Sequence, residues 1–463
     1  MNAEQTTDKT IKQTRIVAMI VVLITSFTMS LTGSALNLSI PNISSEFNVE
    51  AGLVGWIVTC YMLTVAALSV PFGRWSDISD RKKVISIGIA VFIAGCAGGM
   101  FATGIKMLLG MRVLQGIGGA MVLSSNMPIL MNAYPPQERG KAIGYSVGST
   151  YVGLSLGPVI GGILNNQLGW RSIFFFAGAL TVIALITCIA KLPAQPSPCK
   201  TRSQDLPGSI LYIIFIVLFM LGLSNVSGGV IYLIIIAAGL LFGVLFVRRE
   251  LTTDDPALNI SLFRNNVGYT LSNLAALMNY AATFATGYLM SIYLQVVLGY
   301  SSETAGIILI IQPVIMAILT PKMGRVSDRR SPFKMASLGM AICALGIAFF
   351  IFLKEDTSLA FVIIALIIVG LGFAFFSSPN TNAIMSCVNH SDYGIATSVL
   401  NTMRTIGQTT SMVIVTIIVS ITMPGLELNQ AEPAVLVQVI HIAFIIFVCM
   451  CVVGVFISLK RKK

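Results

Sequence analysis

Residues 73–77 read GRWSD, followed by Ile-Ser-Asp-Arg-Lys-Lys; residues 324–328 read GRVSD, followed by Arg-Arg-Ser-Pro-Phe-Lys. Each places one acid, Asp77 or Asp328, four residues after a glycine and among bases. Such an acid can bind a nearby guanidinium, Arg81 for example. It can also pair with a helix end across the half-interface, latching the outward-facing state, with Asp328 the weaker twin; ordinary positive-inside anchoring with a solvated acid is the alternative. Arg112 is a different kind of charge. It falls inside a long apolar run, with Gln115 three residues on. Either it faces a cavity, where a membrane charge by default marks a function, or it snorkels to the surface. Arg404 also lies inside such a run.

The elements that position these residues follow from composition. The 463 residues are 56 % hydrophobic and only 10 % charged, whereas a soluble domain carries about 25 % charge. Fourteen apolar runs reach the length of about 18 residues needed to span a bilayer. Twenty-four of the twenty-nine Lys and Arg fall on one side of the alternating spans. The positive-inside rule then puts both termini in the cytoplasm. It also accounts for the net charge of +11 without a nucleic-acid partner. The chain divides into a cytoplasmic N-terminus (1–15), a six-helix bundle (16–191), a linker with two extra transmembrane helices (192–265), a second six-helix bundle (266–458) and a basic tail (459–463). The two echoing loops occupy matching places, each second in its six-helix unit. Two parallel halves with a site at their interface is a transporter plan.

The stretch GYSVGSTYVGLSLGPVIGG, from Gly144 to Gly162, lies in one of these spans. In water each helical glycine costs about 1 kcal/mol and proline about 3 kcal/mol. Between membrane helices small residues instead let backbones approach. Gly144, Gly148, Gly153, Gly157 and Gly161 share one face, and Pro158 allows a bend. The expectation is a smooth, kinked seam against a helix of the opposite half; tight packing without motion is the alternative.

These motifs resemble the major facilitator superfamily. Gly73-x-x-Ser76-Asp77-x-x-x-Arg81-Lys82 is similar to its loop signature, with Trp75 and Asp80 departing from it. Arg112-Val-Leu-Gln115-Gly116 resembles its helix-4 motif. Gly144, Gly153, Gly157, Pro158, Gly161 and Gly162 match the antiporter signature G-x8-G-x3-G-P-x2-G-G of drug exporters. The fourteen-span layout resembles the drug:proton antiporter branch that includes quaternary-ammonium and tetracycline exporters. The resemblance implies an all-α membrane fold and export of amphipathic or toxic molecules by alternating access, driven by the proton gradient. A transporter of a specific metabolite, peptide-like compound or lipid is the alternative, and a transporter-derived sensor a third.

One departure bears on coupling. Family members carry an Asp in helix 1; here Thr32 stands in its place, followed by Asn37 and Pro41 at matching positions. All eighteen acids fall in loops or at helix ends. A half-buried carboxylate is the usual titrating group, because desolvation lifts its pKa toward neutrality. The remaining candidates for proton coupling are Asp77, Glu303 and His441. His441 has a suitable intrinsic range, although its Val, Ile and Phe neighbours equally suit a packed residue. The missing anion favours a neutral, zwitterionic or anionic substrate over a permanent cation.

Candidate cavity residues are Thr32, Asn37, Arg112, Gln115, Asn126, Tyr151, Asn279, Tyr280, Gln312, Asn380 and Arg404. Phe27, Met29, Phe284, Phe375 and Phe376 could form an apolar wall. Candidate gating residues are Gly73, Asp77, Arg81, Gly144, Gly153, Gly157, Pro158, Gly161, Gly162 and Asp328. The eight cysteines form no C-x-x-C pair and read as small apolar residues. With two histidines, no metal site is expected. Neither a phosphate-binding loop nor a catalytic constellation occurs, so no cofactor and no enzyme activity are expected. The partners implied are a small-molecule substrate and lipid. A monomer suffices, in a bacterial or archaeal plasma membrane.

Overall fold

The computed structural model describes residues 2–37, 39–49, 51–196, 203–258, 260–422 and 432–461. In bulk lipid every backbone polar group must be satisfied within the protein, which leaves helices as the answer for runs this apolar. The first bundle comprises α1 (Asn2–Asn37), the short α2 (Ile40–Phe47), α3 (Ala51–Ile78), α4 (Arg81–Met100), α5 (Ile105–Ala133), α6 (Arg139–Leu168) and α7 (Arg171–Lys191). Then come α8 (Leu206–Ser224), α9 (Val230–Glu250) and the short α10 (Ser261–Asn265). The second bundle holds α11 (Val267–Thr283), α12 (Thr286–Ile292), α13 (Ser302–Leu309), α14 (Ile311–Arg329), α15 (Pro332–Phe349), α16 (Leu359–Ser386), α17 (Tyr393–Thr422) and α18 (Pro433–Leu459).

Thirteen helices among the described residues are long and apolar enough to span a membrane. The fourteenth expected span, 266–294, is broken between α11 and α12. At the break the Ala285 N–H donates to Ser411 Oγ at 3.0 Å, so a side chain replaces the lost helical acceptor. The segment set aside as an N-terminal tail, 1–15, is helical from Asn2 and continuous with the first span.

Within the first bundle α1 packs on α6 and α4 on α5; within the second α15 packs on α16 and α11 on α17. The halves meet through α6 with α14 and through α3 with α17. The extra pair packs mainly on itself. Only 17 % of the most apolar window of α9 is buried, against 56 % for α1. α9 is therefore the peripheral member, whereas α8 also packs on α3 and α17. Both GR-x-SD loops lie at one end of the molecule, together with the Arg15–Glu138 pair, and that end is called here the basic end.

Candidate functional site

At the basic end the two echoing loops close on each other's bundles. Asp77, at the end of α3, is 1 % exposed. Its Oδ1 accepts from the Gly394 N–H at 2.9 Å and its Oδ2 from the Ile395 N–H at 3.0 Å, both at the start of α17 in the other half. Arg81, fully buried, binds Asp77 Oδ1 at 3.1 Å and also donates to the His390 carbonyl. Asp328 mirrors this. Its oxygens accept from the N–H groups of Gly140 (2.5 Å) and Lys141 (2.8 Å) at the start of α6. Each acid therefore satisfies free N–H groups of a helix in the opposite bundle. The serines match too: Ser125 donates to Ser76, and Asn382 to Ser327. Arg139 to Tyr393 and Arg325 to Tyr145 add further bonds between the halves.

The glycines allow this approach. A Cβ at Gly73 would collide with Ser398 and the Gly394 carbonyl; one at Gly324 would collide with the Gly140 carbonyl. Asp80, where the family signature has glycine, accepts from the N–H groups of Lys82 and Gln195. It thereby starts α4 and pins the linker.

The glycine row on α6 is partly redirected from the expectation. Gly144 and Gly148 face Pro321 of α14, across the half-interface. Gly153, Gly157 and Gly161 instead face Phe27, Leu31, Ser34 and Ala35 of α1, in the same half. Of the α6 glycines, only those toward the basic end therefore face the other bundle. Pro158 and Gly162 lie beyond them, and α6 continues unbroken through Pro158, which is exposed.

Arg112 is fully buried and does not snorkel. It donates to the Ile57 carbonyl and to Gln115 Oε1, each at 2.7 Å, and lies over the Tyr61 ring. Gln115 in turn donates to Cys96. These contacts lie inside the first bundle, not in a shared cavity. Thr32 (1 % exposed) donates to the Thr28 carbonyl, and Asn126 bonds Thr25 and Ser26. In the second bundle Asn279 is fully buried. Asn380 bonds the Ser272 carbonyl and accepts from Arg461 at 2.7 Å, so it anchors the C-terminal end rather than lining a cavity. Burial lowers the Arg461 pKa to about 10. Gln312 is half-buried near Met316. The side chains of Asn37 and Glu303 lie outside the described residues. His441 Nε2 lies 2.6 Å from the Leu353 carbonyl, the packed, hydrogen-bonded arrangement.

Three cavity candidates do come together at the half-interface. Tyr151 of α6 donates to Ser377 of α16 at 2.8 Å. Tyr151 and Tyr280 both set their rings edge-on to Phe373, with centroids 6.0 and 5.4 Å away. Arg404 lies over the Tyr280 ring at 5.4 Å and donates to Thr381. One turn along α17 from Arg404, Gln408 lines a cavity of about 380 Å³ between the halves. Its other walls include Thr59 and Met62 of α3, Met220 of α8, Phe284, Thr409 and Met412. Of these, Phe284 was legible in the sequence as an apolar-wall residue. The methionines were not singled out, although soft Met beside aromatics suits loose recognition. Among the described residues the ion pairs sit toward helix ends: Arg15–Glu138, Arg74–Asp255, Arg81–Asp77, Arg171–Glu46 and Arg249–Asp205.

Two helical bundles, latched at one end by twin loops and enclosing a cavity between them, define a membrane transporter, not an enzyme. The chain belongs to the Major Facilitator Superfamily, which it matches over residues 22–412 and again over 272–463. It is 29 % identical to the riboflavin transporter RibZ of Clostridioides difficile, over 84 % of each chain. It is 28 % identical to the multidrug resistance protein Stp of Mycobacterium tuberculosis, over 83 % of this chain and 72 % of that one. It is 26 % identical to the methylenomycin A resistance protein of Bacillus subtilis, over 87 % of each. The fold is shared with the human organic anion transporter MFSD10 (TETRAN), at a TM-score of 0.65 and 14 % identity over 97 % of this chain and 99 % of that one.

Proposed function

We propose that the protein exports amphipathic small molecules from a bacterial or archaeal cell by alternating access, driven by the proton gradient. The basic end is cytoplasmic, and the working unit is a monomer. The observation that carries this reading is the interface cavity, walled by Met62, Met220, Met412 and Phe284, with Gln408 one turn along α17 from Arg404. Apolar, adaptable walls with a few hydroxyls and one amide suit an amphipath, and Arg404 one turn beyond Gln408 favours a neutral or anionic one. The relatives named as multidrug and antibiotic resistance proteins support export. Asp77 is the acid best placed to link proton uptake to opening, since among the described acids it ties α3, α4 and α17 together.

A second reading is a dedicated carrier of one planar metabolite. The relative named as a riboflavin transporter and the ring platform of Tyr151, Phe373 and Tyr280 favour it. Flux assays in proteoliposomes under an imposed pH gradient test both. The export reading predicts proton-driven flux of several unrelated amphipaths. Arg404→Ala should weaken anionic ones about tenfold and neutral ones less, the loss of roughly one charge-assisted contact. Flux of a single compound supports the second reading. Flux indifferent to pH removes proton coupling.

A further inference from the structure

The transport cavity leaves unused a second hollow of about 480 Å³ at the basic end, between the extra helices and both bundles. Its walls include Val70 of α3, Phe215 of α8, Val244 of α9, Ile406 of α17 and Phe263 of α10. The two hydroxyls there are consumed internally: Tyr212 and Thr402 bond each other at 2.8 Å, and Thr402 also donates to the Ser398 carbonyl. Arg248 is the charged member of the lining and is exposed. Its neighbours are engaged elsewhere. Arg249 forks onto Asp205, and Glu250 accepts from the Leu258 N–H.

We propose that this groove holds an anionic phospholipid of the leaflet at the basic end, with one acyl chain among the apolar walls and its phosphate on Arg248. The volume lies within the range of small-ligand sites, about 300–1,000 Å³. The lining asks for a long apolar tail and supplies no polar partner along its depth. Arg248, the one cation among the described lining residues, sits near the C-terminal end of α9. A basic residue at a helix end attracts an acidic headgroup by about 1 kcal/mol. Because Val70 belongs to the first bundle and Ile406 to the second, the lipid bridges the halves beside the Asp77 latch.

Native mass spectrometry of the full chain, with added dioleoyl phosphatidylglycerol or dioleoyl phosphatidylcholine, tests the site. Wild type should retain phosphatidylglycerol about fivefold better, and Arg248→Gln should remove that preference while leaving phosphatidylcholine retention unchanged. A Cβ at Gly243 already stands 3.0 Å from Phe215, so Gly243→Leu fills the groove and should release both lipids. Leu240→Trp is a second filling variant, with size-exclusion profiles confirming that each variant is folded. Equal retention of the two lipids by wild type overturns the proposal, as does unchanged retention in both folded filling variants. Displacement of phosphatidylglycerol by a transported dye also overturns it, by assigning the groove to substrate.

Discussion

Asp77 Oδ1 receives the backbone N–H of Gly394 at 2.9 Å while holding the Arg81 guanidinium at 3.1 Å. One buried carboxylate thus joins two helices of the first bundle to the start of α17 in the second. Asp328 makes the reciprocal contact with Gly140 and is only half-buried.

Asp77→Asn leaves Arg81 buried without its counter-charge. Removing one member of a buried pair costs about 3–5 kcal/mol. Thermal melts in detergent should show a larger drop for Asp77→Asn than for Asp328→Asn. The reverse order would contradict the assignment of Asp77 as the principal latch.

The glycines separate into two classes. Gly73→Ala and Gly324→Ala each push a methyl into the other bundle's backbone. Overpacking of this kind costs about 1–3 kcal/mol, borne by the state closed at the basic end. Thiol labelling of a cysteine placed at Ser398 should therefore speed up. Gly157→Ala meets Ser34 within its own half; it should lower the melting temperature without speeding that labelling.

Arg112 is buried with neutral partners: a carbonyl, an amide and the Tyr61 ring. A buried charge without a counter-ion is a poor stabiliser, and apolar replacements of similar volume are often neutral or better. Arg112→Met should keep or raise the melting temperature. A large loss of stability would make Arg112 a structural residue. Arg112→Lys should melt below wild type, since an ammonium cannot fork between the Ile57 carbonyl and Gln115.

Asp205 gives a pH dependence. Burial alone pushes its carboxyl up, but the Arg249 fork and the Gly208 N–H hold it below the ordinary value of 3.8. A depressed folded pKa contributes stability that is present above the unfolded value and lost as pH falls through the folded one. Asp205→Asn should therefore melt earlier than wild type at neutral pH, and the gap should close in acid. A gap that widens in acid would contradict this.

The sequence carried the helices and the latch for clear reasons. Apolar runs of spanning length admit one secondary structure, and the repeated GR-x-SD loops carried their own symmetry. Both options weighed for Asp77, Arg81 and a helix end across the interface, turned out to hold together. The neighbours of the α6 glycines were less legible. Periodicity shows that one face is smooth, but not whether α1 or α14 lies on it, and both do. Polar residues in spans were legible as buried, yet their partners were not. Asn380 meets Arg461 from 81 positions away, and Thr32 spends its hydroxyl on its own helix. Such choices are set by packing, which residue type does not encode.

The most direct test of alternating access is a pair of spin-label distances in liposomes. One pair spans the basic end, on exposed Lys83 and Asn389; the other spans the far end, on exposed Lys106 and Lys354. Substrate with an imposed pH gradient should lengthen one distance while shortening the other, and Asp77→Asn should populate the long basic-end distance without substrate. Two distributions that stay fixed under every condition, or that lengthen together, would contradict two bundles rocking about a shared seam.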